Sequence, residues 1–271
     1  GAYLSSDDTY ASTVYLEFDG VNEYGELSGS DKETFMHAVG PTGGTISFWV
    51  RSSDIYHGSS GGFRYIMGGF AFSSPTVNSF YIATKNDSGT NRIVILRSDL
   101  NIATSVTTAW SDFKTNSADH LSDNTWHHIA VTIKPFSSTW RTLLYVDGSI
   151  TTLTTGGGTA TGVNASNSAD PSSADLSQTI ARYNTIYTAV DINEMATWST
   201  ELSSSEISYI YNQGLTGLNF AVDAGDYTSS ADLYTWHTMG EKTQLGETVE
   251  PDSAGLDRHM TLYNAPSRLE H

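Results

Sequence analysis

The stretch Asp123-Asn124-Thr125-Trp126-His127-His128-Ile129-Ala130-Val131-Thr132 is followed closely by Leu144-Tyr145-Val146-Asp147-Gly148. From Trp126 to Ile133 the chain is rich in aromatic and β-branched residues and reads as a strand. Arg141–Val146 reads as a second strand. Asp147-Gly148 is a two-residue hairpin turn that sends the chain back along Ser149–Leu153. His127 and His128 are adjacent on the first strand, so they point to opposite faces and cannot share a metal. One is expected to be packed and the other exposed.

The same pattern spreads outward. Thr45–Val50, Tyr65–Gly68, Phe80–Ala83 and Arg92–Leu96 are short runs bounded by Gly, Asn, Asp or Ser. Many short strands with such turns predict an all-β fold, a two-sheet antiparallel jelly-roll sandwich. One short helix is expected near 203–213. Ser203 caps it, Glu206 completes a capping box, and Ile207, Ile210 and Tyr211 recur at helical spacing before Gly214 stops it. From Thr155 to Gln178 the chain turns to Gly, Thr, Ser, Ala and Asn without apolar periodicity and reads as a long surface loop. Asp232–Gly240 and His259–Tyr263 read as late strands. The expected organisation is a jelly roll over 1–217 and an extension over 218–268 that packs on or completes the same sandwich. Residues 269–271 read as a tag remnant and are left out of the fold.

Composition narrows the function. The 271 residues carry 13 Lys and Arg against 30 Asp and Glu, a net charge of −17. No basic cluster exists to hold a polyanion, so nucleic acid is not an expected partner. No apolar run reaches the length of a membrane span, and no membrane insertion is expected. The absence of cysteine excludes disulfides, iron–sulfur clusters and thiol nucleophiles. Six Trp, fifteen Tyr and ten Phe supply large areas for burial.

These motifs resemble the laminin G-like, pentraxin-like and concanavalin A-like jelly rolls. Asp123–Thr132 is similar to the family's D-x-x-W-H-H-V-A-V-T strand, and Leu144–Gly148 to its L-Y-V-D-G hairpin. Phe18-Asp19-Gly20, Ile46–Val50, Asp191–Trp198 and the helix from Leu202 to Gly214 match further ordered motifs. Asn193-Glu194 together with Trp236 and Met239-Gly240-Glu241 resembles modules of bacteriophage structural proteins. In the family, a segment like Leu233–Gly240 commonly precedes the F-D-G strand; here it comes last. That order suggests a permuted chain or the start of a further repeat.

The resemblance implies a non-catalytic binding or adhesion module on a virion or extracellular surface. Its expected partner is a glycan or another virion or cell-surface component, and a homo-oligomer is compatible with it. It also implies a structural calcium, with Asp19 and Asp191 as the matching carboxylates. The alternatives are a purely structural virion protein and a laminarinase-like glycosidase. The glycosidase reading rests on Glu17, Asp19 and Glu23. Retaining hydrolysis needs two carboxyl groups roughly 5–5.5 Å apart. An extended strand would put Glu17 and Glu23 about 20 Å apart at roughly 3.3 Å per residue. Only a sharp bend at Asp19-Gly20 shortens that, so no catalytic residue is expected. Gly58-Ser59-Ser60-Gly61-Gly62 spells a nucleophile elbow but lacks the strand before it and the helix after it. Trp49, Trp126 and Trp198 lie in strand patterns and read as packing. Trp110, Trp140, Tyr56 and Tyr183 lie in polar, loop-like surroundings and are the expected ligand-binding aromatics.

Overall fold

In the computed structural model the described residues are 14–28, 35–39, 42–55, 62–70, 79–87, 90–98, 111–115, 121, 124–136, 139–151, 153–155, 158–160, 163–165, 177–216, 218–239, 248–256, 258–264 and 266–270. The strands in chain order begin with β1 (Val14–Asp19), β2 (Tyr24–Leu27), β3 (Gly44–Arg51), β4 (Phe63–Phe70), β5 (Ser79–Asp87), β6 (Thr90–Ser98) and β7 (Ser111–Thr115). Next come β8 (His127–Phe136), β9 (Thr139–Val146), β10 (Ser149–Thr151), β11 (Leu153–Thr155), β12 (Gly158–Ala160), β13 (Val163–Ala165) and β14 (Ser177–Ile180). The last are β15 (Arg182–Tyr183), β16 (Ile186–Tyr187), β17 (Ala189–Trp198), β18 (Leu233–His237), β19 (Val249–Glu250), β20 (Met260–Tyr263) and β21 (Ser267–Glu270). The helices are α1 (Phe35–Ala38) and α2 (Ser204–Gln213).

Two antiparallel sheets form the sandwich. The first has nine strands on the path β10-β9-β8-β3-β17-β1-β21, with β13 on β9 and β18 on β17. The second has ten, in the order β12-β11-β7-β6-β5-β4-β14-β2-β20-β19. Alternation places one side of each strand between the sheets. Leu16, Phe18, Ile46, Phe48, Ile129 and Val131 from the first sheet meet Leu27, Ile66, Phe80, Ile82, Ile93 and Met260 from the second.

Asp147 and Gly148 both take positive φ, 50° and 71°, as a primed hairpin turn requires. The Asp147 carboxylate then accepts both the His128 backbone N–H and the His127 ring at 2.9 Å. The expectation of one packed and one exposed histidine is corrected here. His127 is 9% exposed and His128 fully buried, because the turn folds Asp147 back over the start of β8.

The chain beyond α2 supplies strands to both sheets. β18 pairs with β17, β20 with β2, and β21 with β1. Leu269 and Glu270, left out of the fold on the sequence reading, face Tyr15 and Val14 in that last pair. The expected long loop is also corrected. Gly158–Ala160 pairs with β11 and Val163–Ala165 with β9, so backbone pairing orders short segments that show no apolar pattern.

One half of β17 borders β1 and the other half borders β18. The switch falls at a bulge at Asn193-Glu194, where Glu194 takes φ 49°. β18, whose sequence resembles a strand expected before the F-D-G motif, therefore lies in line with β1 along β17, although it comes late in this chain.

Candidate functional site

The outer face of the nine-stranded sheet is covered by α2 and the segment after it over parts of β8, β9, β17 and β18. Ser203 caps α2, the Glu206 side chain completes the capping box, and Gly214 closes the other end. Ile207 and Ile210 pack with Trp198, Phe220, Tyr227 and Trp236 into a second core between α2 and the sheet. The polar handles are satisfied inside it. The Trp198 indole N–H donates to the Tyr227 hydroxyl at 2.9 Å, which donates to the Phe220 carbonyl at 2.8 Å. The Trp236 indole N–H donates to Glu194 at 2.8 Å. Glu206 accepts from the Ser203 N–H and hydroxyl, the Thr228 N–H and hydroxyl, and the Ser229 hydroxyl at 2.6–3.3 Å. Burial pushes its carboxyl up, and these donors more than offset that, holding it below the ordinary value. His128 lies beneath Trp49 and Tyr211, with its Nε2 2.7 Å from the Ser47 hydroxyl. Burial lowers its pKa to about 4, against the opposing pull of Asp147, so it stays neutral.

The outer face of the ten-stranded sheet is different. Tyr65 on β4 stacks on Tyr183 at 4.4 Å, and Tyr81 on β5 meets both edge-on at 5.5 and 5.3 Å. Phe63 continues the cluster, with the Lys85 ammonium 4.9 Å over its ring. Beside it Tyr24 on β2 and Tyr263 on β20 stand opposite each other in register. Their rings are 4.4 Å apart and 4° from parallel. Tyr187 leans on Tyr24 at 6.2 Å.

The β15–β16 hairpin joins the two groups. Asn184 supplies its positive-φ turn, 53°. Thr188 pins the base, its hydroxyl donating to the Tyr65 carbonyl at 2.8 Å and its N–H to the Ala181 carbonyl at 2.8 Å. Tyr183 then faces Tyr65, while the Arg182 guanidinium lies 4.1 Å over Tyr24 and 5.8 Å from Tyr187. Tyr24, Tyr183 and Tyr187 are half-buried, and Tyr263 is 37% exposed. Burial raises the phenols of Tyr24 and Tyr183 and pushes Tyr65 up to about 12. They remain hydroxyl donors at neutral pH. Half-buried rings with hydroxyls at their tips offer an apolar face and a hydrogen bond together.

Of the expected aromatic ligands, only Tyr183 is placed in this cluster. Trp110 and Tyr56 lie outside the described residues, as does the Trp140 side chain, whose backbone is in β9. Tyr24, Tyr65, Tyr187, Tyr263 and Arg182, which join Tyr183 in this cluster, are not among the residues expected from the sequence. The available signal was the alternation that turns Tyr24 and Tyr263 away from the core while Leu27 and Leu262 turn inward.

The acidic residues form a separate group at the end of β1. The extended span from Glu17 to Glu23 is corrected. Asp19 accepts from the Val21 and Asn22 N–H groups at 2.8 and 3.3 Å, and Gly20 turns at φ 73°. The turn folds Glu23 back, so its Oε2 accepts the Asp19 N–H at 2.9 Å. Burial raises the Glu23 pKa, the Asp19 N–H opposes this, and the charges of Asp19 and Glu17 add to the rise. Glu17 stands opposite Asp191 across the β1–β17 pair. Asp191 is ion-paired with Arg51 at 2.7 Å. That guanidinium lies 4.7 Å from the Tyr15 ring centre and 4.9 Å from that of Trp126. Trp126 is half-buried there, and Trp49 and Trp198 are buried, as packing residues are. Among the described residues no three His, Asp or Glu side chains gather as metal ligands.

A laminin G family model, described as the concanavalin A-like lectin/glucanases superfamily, matches residues 27–208, and the chain belongs to that superfamily. No curated protein matches it in sequence. Among solved structures it is similar to tailspike protein 2 of the Escherichia coli O157:H7 bacteriophage CAB120. That match has 14% identity over 87% of this chain and 31% of the other, at a TM-score of 0.51. A heptameric SAP-like pentraxin from Limulus polyphemus has 11% identity over 74% and 82%, at 0.43. The ligand-binding domain of botulinum neurotoxin serotype D, in complex with N-acetylneuraminic acid, has 16% identity over 64% and 36%, at 0.41. The chain spans about a third of the tailspike and toxin chains it matches. At these identities the likeness is one of fold.

Proposed function

We propose that this chain is a non-catalytic glycan-binding module whose site is the tyrosine face of the ten-stranded sheet. The observation that carries this reading is the open stack Tyr24–Tyr263 with Tyr187, joined through the hairpin to Tyr65–Tyr183. Sugar rings present C–H groups on one face and hydroxyls at the rim. The outer face of Tyr263 would cover the first, and phenol hydroxyls along the edge of the stack would meet the second. Membership in a superfamily of lectins and glucanases supports the ligand class. Catalysis is not part of the proposal, because Asp19 and Glu23 hold backbone amides of the turn and Asp191 holds Arg51.

The proposed setting is the outer surface of a virion or cell; the sequence likeness to phage structural modules supports it. Calcium at Asp19 and Asp191 remains a separate proposal. It would have to draw Asp191 away from Arg51 and Asp19 away from two amides, and melting with and without a chelator tests it. A glycan array with the native chain and Tyr263→Ala tests the main reading. A reproducible sugar signal that the substitution abolishes is expected. An array without any signal would leave the purely structural virion role standing in its place. Reducing-end release from laminarin, lost in Glu17→Gln, would restore the glycosidase.

A further inference from the structure

We propose that the glycan taken by this face is acidic, and that Arg182 reads its carboxylate. The inference rests on the glycan-binding reading above and adds the charge of the ligand. In a chain with 30 acidic and 13 basic residues, basic side chains readily find acidic partners. Arg51 pairs with Asp191, and Lys134 and Arg141 share Glu201. Arg258 is held by the Tyr234 carbonyl at 2.7 Å and lies 3.7 Å over the Tyr234 ring, and Arg182 departs from the acidic pairing in the same way. Its Nε donates to the Asn184 carbonyl at 2.9 Å, its plane lies over Tyr24, and no acidic side chain pairs with it among the described residues. The backbone bond and the stacking fix the guanidinium before any ligand arrives, which lowers the ordering cost of binding.

The position adds chemistry to the charge. Arg182 and Tyr263 pack on Tyr24, so a sugar lying across the hydroxyl edge of the stack, beside Tyr263, would carry its substituents toward the guanidinium. A planar fork of N–H donors matches a planar carboxylate with two parallel bonds. A neutral sugar would leave those donors to water. The ligand class is therefore a sugar acid of the uronic or sialic type.

The test is calorimetric titration of the whole chain with two matched pairs, galacturonic acid trimer against galactotriose and sialyllactose against lactose. At least one acidic member is expected to bind about tenfold tighter than its neutral partner, as a charge-assisted pair provides. Arg182→Gln should remove that preference and leave weak neutral binding, and Arg182→Lys should restore part of it. Tyr263→Ala should weaken both members of the pair. Thermal melts confirm that each variant is folded. Equal affinity for acidic and neutral members, or a preference that survives Arg182→Gln, overturns the role of Arg182 and leaves glycan binding intact. Binding that Tyr263→Ala and Arg182→Gln both leave untouched removes the site itself.

Discussion

On the nine-stranded sheet Trp198, Trp236 and Phe220 lie under α2 and the segment that follows it, and each indole N–H is donated to a protein acceptor. On the ten-stranded sheet Tyr24 and Tyr263 stack, Tyr187 leans on Tyr24, and all three stay within reach of solvent. Both faces hold clustered aromatics, but the destination of the polar handle differs. Where indole and phenol groups are consumed internally, the rings are packing. Where the rings stand half-open beside a guanidinium that has no acidic partner among the described residues, they suit the proposed ligand. The abundance of aromatic residues is therefore less informative than what lies over them.

Trp236→Ala attacks the covered face most directly. It empties a large buried site and strands Glu194 without its indole donor. A loss of about 3–5 kcal/mol in urea unfolding is expected, with sugar affinity unchanged in the folded fraction. An equal loss from Tyr263→Ala would erase the distinction between the faces.

Acid should act next, through buried histidines and not through the tyrosine face. His128 and His237 are buried, and burial lowers both from 6.5 to about 4. Between those values the unfolded chain binds protons that the folded chain refuses. Stability is therefore complete above pH 6.5 and falls as pH drops toward 4. His128 contributes roughly 3 kcal/mol across that window by linkage, and His237 acts in the same direction. Denaturant melts from pH 7.5 to 4.5 check it, and His128→Gln should flatten the slope. The tyrosine face adds nothing to this trend, because its phenols are shifted upward from 10.

Glu206→Gln is the milder change. The amide keeps the shape but loses charge-assisted bonds from Ser203, Thr228 and Ser229, a cost of about 1–3 kcal/mol. The lowered carboxyl pKa means that its contribution is present above 4.5 and fades as pH falls through the folded value. Tyr263→Ala should be smallest in stability, below about 1 kcal/mol for a surface side chain. Its effect belongs in the binding isotherm, and the opposite result would make Tyr263 a packing residue.

Much of this was readable in the chain. The capping box of Ser203 and Glu206, the Asp147-Gly148 turn and the alternation in β3 and β8 are local, and local rules predicted them. The proposed binding face was less legible. Tyr183 was reached from its polar neighbours, whereas Tyr24, Tyr65, Tyr187 and Tyr263 are spread across four strands. The β1 acids failed for a related reason. An extended strand was the wrong ruler once the Asp19 side chain had bent the chain and brought Glu23 home.

By itself the sequence determined the two-sheet sandwich and its capped helix, because hydrophobic period, turn chemistry and caps act over a few residues. Only the tertiary structure decided which outer face is covered and where Arg182 rests. Those depend on strands distant in sequence becoming neighbours, as Tyr24 and Tyr263 do across β2 and β20. They also depend on the segment after α2 folding over one sheet.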